Sequence, residues 1–495
     1  MDPLAGRAPH EDAPEIGFGP RQRIGLSLAA IVFAALWLCP PLGPLDLAGT
    51  RVAILAVLLA VLWVTEAVPI PATALLPLVL LPLLGIAPIK QAAAPYADPV
   101  IYLFMGGFML ALAMERSHLH RRLALAIIAA IGTRPRSLVL GFLCAGAFIS
   151  MWTSNSAAAM MLLPIGVSVH ALLQSSPAGR AGAVDTGAAL VLAIAYGANI
   201  GGMGTLIGTP PNTVLKAYLE RSHGVEIGFA QWMLFGVPLI LIALPIVWLI
   251  LTRFSFRVAA VPVPGVQEEI AAARKRLGPI SQAEWLVAGA FLLAVTFWVT
   301  RELWKTTALG PVLTDEVIAM GAALLLFFLP AGRDRGFVLR WVDMRRMPWD
   351  VLILFGGGLS LAAAMEKTGL VIALAKGLEG MNGWPPLAIL FLITLVMIFA
   401  TALTSNTATA TAFLPVTGAL ALAVNQPALL LCVPVALAAS ADFMLPVGTP
   451  PNAIAYGSGL VPLPRMVRAG FFANLTFALL LPLLMWTLGR WVFKV

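Results

Sequence analysis

The chain contains two short polar stretches, Thr-Ser-Asn-Ser at residues 153–156 and Gly-Thr-Pro-Pro-Asn at residues 208–212. Each occurs a second time in the same order, as Thr-Ser-Asn-Thr at 404–407 and Gly-Thr-Pro-Pro-Asn at 448–452. All four lie in apolar sequence that otherwise predicts membrane-spanning helix. Because polar, helix-breaking residues at membrane depth are tolerated only where protein encloses them, the repeated stretches predict an enclosed site. Duplicated interruptions of this kind point to the central binding site of a transporter.

The duplication extends beyond these motifs. Residues 104–115 align with residues 355–366 at an offset of 251, which is also the offset between Ser154 and Ser405. The two Gly-Thr-Pro-Pro-Asn blocks match at an offset of 240, so the second half is shorter between its motifs. One glycine pair alone would be explained by close helix packing, but several blocks in one register indicate an internal repeat.

The composition excludes an ordinary soluble protein. Of the 495 residues, 60% are hydrophobic and 11% are charged, whereas about a quarter are charged in soluble domains. The apolar runs are longer than the about 9–11 residues of a barrel strand, so the spans are helical. The net charge of +8 is explained by basic cytoplasmic loops, since no basic tract with interleaved aromatic residues indicates nucleic-acid binding.

Eleven apolar segments are long enough to cross a bilayer. They lie near residues 24–46, 51–69, 72–88, 97–131, 187–218, 228–252, 281–300, 314–330, 348–379, 427–458 and 464–492. Two further segments, 136–173 and 384–424, carry the Thr-Ser-Asn motifs near their centres. Each forms either two full spans or one re-entrant hairpin, and the motifs favour the hairpin because Asn and Ser are good N-caps.

Charge bias orients the chain. With the N-terminus inside and both hairpins re-entrant, most of the 31 Lys and Arg residues fall on the inside, as the positive-inside rule requires. An odd number of crossings then separates the two repeats, so they are inverted relative to each other. We therefore predict an all-α polytopic protein of the cell inner (plasma) membrane, with a cytoplasmic N-terminus, about 11 transmembrane helices and two re-entrant hairpins in two inverted-topology repeats.

At each Ser-Asn motif one helix is expected to end and another to begin. A helix N-terminus exposes unpaired N–H groups and about half a positive charge, so it attracts a carboxylate or sulfate without Arg or Lys. Two facing hairpin tips can hold the two ends of a dianion. The breaks also free backbone carbonyls, which together with hydroxyl and Asn amide oxygens suit a hard monovalent cation such as Na⁺.

The Gly-Thr-Pro-Pro-Asn blocks predict that each of their spans unwinds, because two prolines in series are incompatible with a helix interior. Their spacing is not that of a dinucleotide-binding glycine loop, and no βα unit precedes them. Asp442 lies in the second unwound region and is an intramembrane carboxylate, which makes it a functional candidate. Cation binding, proton transfer and pairing with a neighbour all stay open as its role.

With these residues in hand, the chain resembles the divalent anion:sodium symporter family, of the dicarboxylate transporter type. The resemblance covers roughly residues 50–490 and rests on Trp-Val-Thr-Glu-Ala-Val-Pro at 63–69, the two Ser-Asn motifs, and residues 443–454. The last string, Phe-Met-Leu-Pro-Val-Gly-Thr-Pro-Pro-Asn-Ala-Ile, is the most specific. The resemblance implies a homodimer in which each protomer has a scaffold domain and a transport domain that moves as an elevator.

The resemblance also implies which residues bind the ions and the substrate. One Na⁺ is expected at the first repeat, around Ser150, Ser154, Asn155, Gly201 and Gly204. A second Na⁺ is expected around Thr401, Thr404, Asn406 and Gly448. Substrate carboxylates are expected to contact Ser154, Asn155, Ser156, Ser405, Asn406, Thr407, Thr449 and Pro450.

The expected domains follow the repeats. They are a disordered cytoplasmic tail (1–23), scaffold helices (24–131), the first half of the transport domain (132–252), scaffold helices with a cytoplasmic loop at 253–280 (253–379), and the second half of the transport domain (380–495).

Two positions depart from the family pattern. Ser156 stands where the first motif of the family usually has Thr, which keeps the hydroxyl and predicts altered selectivity at most. Asp442 stands where the family usually has a small or apolar residue. Its charge leaves proton coupling or a changed sodium stoichiometry open.

The favoured function is secondary active transport of a C4-dicarboxylate such as succinate, fumarate or malate, coupled to Na⁺ symport. A dicarboxylate exchanger that is independent of a cation gradient is an alternative, as is a sulfate or tricarboxylate transporter of the same fold. An enzyme is not expected, because no acid, base or metal set accompanies Asp442. An anion channel is disfavoured because broken helices in inverted repeats favour alternating access. The expected partners are a small dianion, the lipid bilayer and a second copy of the chain, without nucleic acid.

Overall fold

The computed structural model describes residues 19–175, 182–258, 265–332 and 336–495. Within these ranges the chain forms helices joined by short turns, with one isolated bridge between Pro330 and Phe337. Most of the predicted cytoplasmic tail lies outside the described residues. Its last four positions belong to the first helix, which begins at Pro20 because a proline at the first helical position loses no hydrogen bond.

The helices are labelled in chain order. Those of the first half are α1 (Pro20–Leu38), α2 (Leu47–Thr65), α3 (Ile70–Ala74), α4 (Leu76–Leu83), α5 (Ile89–Ala93), α6 (Pro99–Ser117), α7 (Leu119–Ile131), α8 (Pro135–Ser150), α9 (Asn155–Ser175), α10 (Ala183–Gly202), α11 (Pro210–His223) and α12 (Phe229–Leu249). Those of the second half are α13 (Val266–Arg276), α14 (Gln282–Trp304), α15 (Asp315–Phe328), α16 (Trp349–Lys367), α17 (Leu370–Gly377), α18 (Pro386–Thr401), α19 (Asn406–Ala423), α20 (Ala428–Ala439), α21 (Pro450–Gly457), α22 (Leu463–Leu484) and α23 (Arg490–Phe493).

The internal repeat predicted from the sequence appears as two matching orders of elements. Each copy begins with a long helix (α6 or α16) that ends beside a residue of positive φ, His118 at 62° or Gly369 at 71°. A shorter helix, two hairpin arms and two helices separated by an unwound loop follow. Each copy then ends in a long helix, α12 or α22, that runs into π-helical turns at Ile250–Ser255 or Met485–Gly489.

The all-helical membrane fold predicted from the sequence is confirmed, with a smaller number of long helices. Nine helices among the described residues are long and apolar enough to cross a bilayer. All but α9, the second arm of the first hairpin, correspond to predicted spans. Three other segments predicted as spans form shorter helices. The segment near 72–88 is divided at prolines, and the segment near 427–458 is divided by an unwound loop. The segment near 314–330 forms α15, which has 14 residues.

The segment predicted as one span at 97–131 is also divided. Helix α6 ends where His118 adopts a left-handed conformation, and α7 restarts at Leu119. The N–H of His118 donates to the carbonyl of Glu115, which closes the end of α6. A left-handed residue cannot continue an α-helix, so the chain changes direction there.

The core consists mainly of two separate clusters of buried apolar side chains. The larger cluster joins the hairpin arms and broken helices with α6, α12, α14, α15 and α22. The second cluster joins α1 to α5 with α16 and α17 and reaches hairpin arm α19 at Ala408. The division of the chain into scaffold and transport domains stays a prediction.

The helices that follow the unwound loops are exchanged between the repeats. Helix α11 of the first repeat packs against α19 and α20 of the second. Helix α21 of the second repeat packs against α9 and α10 of the first. Each hairpin therefore lies beside a helix from the other half of the chain, which places all four repeated motifs in one region of the molecule.

Candidate functional site

The first Thr-Ser-Asn motif forms the tip of a helical hairpin, as predicted. Helix α8 ends at Ser150 and α9 begins at Asn155. The Oγ of Ser154 accepts the N–H of Ala157 at 3.2 Å and thereby caps the new helix. The Ser150 hydroxyl donates to the Asn155 amide oxygen at 2.6 Å. Two side-chain oxygens are thus held together at a helix N-terminus.

The second motif repeats this arrangement. Helix α18 ends at Thr401 and α19 begins at Asn406. The Thr401 hydroxyl lies 2.7 Å from the Asn406 amide oxygen and 2.9 Å from the carbonyl of Ala439. Ser405 occupies the cap position but makes no side-chain cap hydrogen bond. Its hydroxyl is therefore not committed to the helix end, unlike that of Ser154.

The asparagines of the two Gly-Thr-Pro-Pro-Asn motifs hold the unwound loops together. The amide nitrogen of Asn212 donates to the carbonyls of Gly202 at 3.1 Å and Thr205 at 2.8 Å. That of Asn452 donates to the carbonyls of Asp442 and Leu445, both at 3.1 Å. These partners match at the 240-residue offset of the repeat, so the same clamp occurs twice.

Polar side chains also connect the two loops across the repeats. The amide nitrogen of Asn199, on α10, lies 3.0 Å from the Thr449 hydroxyl and 3.2 Å from the carbonyl of Asp442. Tyr196 donates its hydroxyl to the carbonyl of Phe443 at 2.9 Å. These contacts fix the second loop against the first half of the chain.

The structure gives the two predicted glycine ligands of the first site different surroundings. Gly201 lies against the backbone of Ala147, where a Cβ would clash, so α10 packs closely on α8 at this point. Gly204 donates its N–H to the carbonyl of Gly201 at 2.9 Å. Gly202 faces Asn155 at the hairpin tip, since a Cβ on Gly202 would lie 2.7 Å from the Asn155 amide oxygen.

Four further predicted residues lie in the second repeat: Thr404 and Gly448 were predicted at the second Na⁺ site, and Thr449 and Pro450 among the substrate contacts. The Thr404 hydroxyl donates to the carbonyl of Ala400 at 3.0 Å and is satisfied inside the hairpin. The Thr449 hydroxyl accepts the N–H of Asn452 at 3.3 Å and caps α21. Pro450 is the exposed first residue of that helix. Gly448 lies against the side chain of Asp442, which fills the space that its own side chain would need.

The remaining predicted substrate contacts are at the two tips. Ser156 is half-buried in the first turn of α9, and Thr407 is buried in the first turn of α19. Neither tip has a basic residue in its motif. The helix N-termini and their hydroxyl and amide groups are therefore the groups that can attract an anion at these tips.

The oxygen groups of the site suit a monovalent cation. Each tip pairs a hydroxyl with an amide oxygen beside an unwound loop that carries backbone carbonyls. No group of three His, Cys, Asp or Glu that could hold a metal ion occurs among the described residues. Neutral oxygens beside broken helices are the donors that transporters use for Na⁺.

Sequence reasoning did not identify three residues that join the halves of the site. Asn199 and Tyr196 bridge to the second loop, and Ser440 lies 3.3 Å from Thr209 of the other repeat, oxygen to oxygen. Tyr196 and Asn199 are spaced three apart on one helix face of an otherwise apolar span. That pattern was available as a signal, because polar residues within a span are rarely without a role.

Comparisons with known proteins agree with this architecture. Residues 21–495 match the family described as "sodium:sulfate symporter transmembrane region". A Staphylococcus saprophyticus protein named sodium-dependent dicarboxylate transporter SdcS is 42% identical over 462 residues, covering 92% of this chain and 89% of the relative. The protein of the same name from Staphylococcus aureus strain USA300 is 42% identical over 481 residues, covering 95% and 91%.

A solved structure shows a related fold. The Alcanivorax borkumensis YdaH transporter, whose crystal structure has been described as revealing an unusual topology, superposes with a TM-score of 0.52. The superposition covers 82% of this chain and 88% of that one at 14% identity.

Replacing Asn199 tests whether the connection across the repeats holds the site together. Asn199→Ala removes the donor shared by Thr449 and Asp442, and we expect the free energy of unfolding to fall by about 1–3 kcal/mol. The measurement is the melting temperature of the detergent-purified protein. Asn382→Ala, at an exposed position in a turn, is the matched control and should melt as the wild type does. Equal melting of both variants would show that the connection does not stabilise the fold.

Proposed function

The chain belongs to the sodium:sulfate symporter family, and from this premise we propose that it carries a C4-dicarboxylate such as succinate, fumarate or malate together with Na⁺. The observation that supports this most strongly is the 42% identity, over more than nine-tenths of the chain, to relatives named sodium-dependent dicarboxylate transporters. The family places the chain among multi-pass membrane transporters. The duplicated helix ends support this proposal, because each can attract one anionic end of a dianion.

The two carboxylates of the substrate bind at the two hairpin tips in this proposal. The N–H groups and dipoles at the start of α9 and α19 attract one carboxylate each. Hydroxyl and amide groups then orient the substrate, together with the cap of α21. These groups are Ser154, Asn155, Ser156, Ser405, Asn406, Thr407, Thr449 and Pro450.

One Na⁺ is proposed to bind beside each tip as a co-transported ion. The first lies where the hydroxyl of Ser150 meets the amide oxygen of Asn155, with Ser154 and the loop from Gly201 to Gly204 beside it. The second lies where Thr401 meets Asn406, with Thr404 and Gly448 nearby. Each cation offsets part of the substrate's charge, so the ions and the dianion favour each other's binding.

The function predicts that both tips are needed. Asn155→Ala and Asn406→Ala each remove an amide at a helix start, and we expect each to lower Na⁺-driven succinate uptake into proteoliposomes at least about a hundredfold while the melting temperature changes little. Asn382→Ala serves as the control because its side chain is exposed away from the tips. Normal transport by both tip variants would show that the substrate binds elsewhere.

Exchange without a cation gradient is the other candidate function, and the names of the relatives favour symport over it. The two are separated by loading the vesicles. A symporter accumulates labelled succinate when Na⁺ is outside and the lumen holds no substrate. An exchanger accumulates label only when unlabelled succinate is inside, whichever cation is present.

We also propose that the chain works as a homodimer with a cytoplasmic N-terminus and that its transport domain moves as an elevator. Among the described residues, the division at 132–252 and 380–495 places two ion pairs across the moving boundary, Lys216–Glu316 and the more exposed Arg221–Asp98. Lys216 of α11 lies 3.2 Å from Glu316 of α15 in the scaffold and 3.0 Å from Glu220 of its own helix. The Lys216–Glu316 pair must separate when the domain moves, whereas the Lys216–Glu220 pair moves as a unit.

Cross-linking distinguishes these two pairs. In a background without native cysteines, joining Lys216→Cys to Glu316→Cys is expected to stop uptake until the link is reduced. Joining Lys216→Cys to Glu220→Cys is the matched control and should leave uptake at its unlinked rate. Full uptake through a completely linked 216–316 pair would contradict an elevator with this boundary. Light scattering of the same preparations should give twice the chain mass.

A further inference from the structure

Asp442 carries a buried carboxylate oxygen without a partner. It lies in the unwound loop between α20 and α21, and its side chain is fully buried. One oxygen accepts the N–H of Met444 at 3.4 Å, and the other has no hydrogen-bond partner. Asp442 takes part in none of the ion pairs formed among the described residues. Burying an unpaired charge is strongly unfavourable, so this carboxylate is expected to bind a cation or a proton.

The internal repeat supplies a direct comparison for this position. At the offset that matches Asn452 to Asn212, the counterpart of Asp442 is Gly202. At Gly202, the space that a side chain would need is occupied by the amide oxygen of Asn155. In the second loop the residue at this position carries a side chain, and the carboxylate of Asp442 lies against Gly448. The two halves therefore share a backbone clamp but differ by one negative charge.

The groups around Asp442 leave oxygen atoms available. The carbonyls of Asp442 and Leu445 already accept hydrogen bonds from the side chain of Asn452, and these two bonds hold the loop in shape. The amide oxygen of Asn199, whose nitrogen contacts the same loop, is buried without a partner as well. The hydroxyl of Thr401 donates to the carbonyl of Ala439, and this bond connects the start of the loop to the second hairpin tip. Two buried oxygens without hydrogen-bond partners thus lie on this loop and on the helix that contacts it, and oxygen atoms are ligands for a cation and not for an anion.

We propose that Asp442 contributes a carboxylate ligand to a monovalent cation bound between the second unwound loop and the second hairpin, so that this cation site is charged while the first is neutral. The proposal rests on the proposed sodium-coupled function and adds an inequality between its two ion sites. Coulomb attraction between a cation and a buried carboxylate is much stronger than attraction to neutral oxygens alone. The second site therefore fills at lower Na⁺ concentration than the first.

The test measures ion binding without transport. The full-length protein is purified in detergent, and its melting temperature is followed as NaCl replaces choline chloride at constant ionic strength, without substrate. Asp442→Asn is expected to raise the Na⁺ concentration for half-maximal stabilisation at least about tenfold. In choline alone the variant should melt above the wild type, because the uncompensated buried charge is gone.

Two further variants make the result decisive. Asp442→Gly installs the residue type that the first repeat has at this position and should reproduce the weakened Na⁺ response if Asp442→Asn fails to fold. Asp350→Asn, an exposed carboxylate in the first turn of α16, should keep the wild-type response.

The possible failures are distinguishable. A wild-type protein that does not respond to Na⁺ contradicts sodium coupling itself. A normal wild-type response that the Asp442 variants retain, with lower melting in every salt, contradicts only the ligand role and makes Asp442 structural.

Discussion

Where a helix unwinds at membrane depth, its backbone N–H and C=O groups need hydrogen-bond partners within the protein. The two unwound loops of this chain are possible only because side chains supply such partners. Asn212 and Asn452 each bind two carbonyls of the loop that precedes their own helix. These clamps let two spans be interrupted without leaving donors and acceptors to the lipid. The interruptions in turn create the helix ends and free oxygens on which any binding of ions and anions relies.

The exchange of half-helices between the repeats converts two separate interruptions into one site. Because α11 packs on the second hairpin and α21 on the first, neither repeat can form its surroundings alone. Asn199 and Tyr196 reinforce this by bonding to the loop of the other half. The second loop is therefore in direct polar contact with the helix that leads into the first loop, which is the physical basis of the proposal that ions and substrate influence each other's binding.

The local features of the site were predictable from the sequence because they are encoded locally. Ser154 and Asn155 are good residues for a helix start, and consecutive prolines cannot continue a helix, so the positions of the breaks follow from residue type. The exchange of α11 and α21 between the repeats was not predictable, because the sequence of a helix does not specify which distant helix it packs against. The break at His118 lies within a segment predicted as one span, but it falls in the mostly polar run of residues 115–122, so the sequence did contain a signal for it.

The two halves have diverged while keeping the same backbone plan. Ser154 caps its helix whereas Ser405 does not, and a glycine of the first loop is replaced by Asp442 in the second. Both differences concern groups beside the helix ends and not the packing that supports them. The two repeats thus share the backbone arrangement of the site, and single side chains make its two ends chemically distinct.

We propose that ions and dicarboxylate bind to one enclosed site and stabilise each other. Equilibrium binding of labelled succinate to the purified protein should therefore depend on the Na⁺ concentration. We predict that Na⁺ lowers the succinate Kd and that succinate, reciprocally, lowers the half-saturating Na⁺ concentration, as linkage requires. Succinate binding of equal affinity in Na⁺ and in choline would contradict the account.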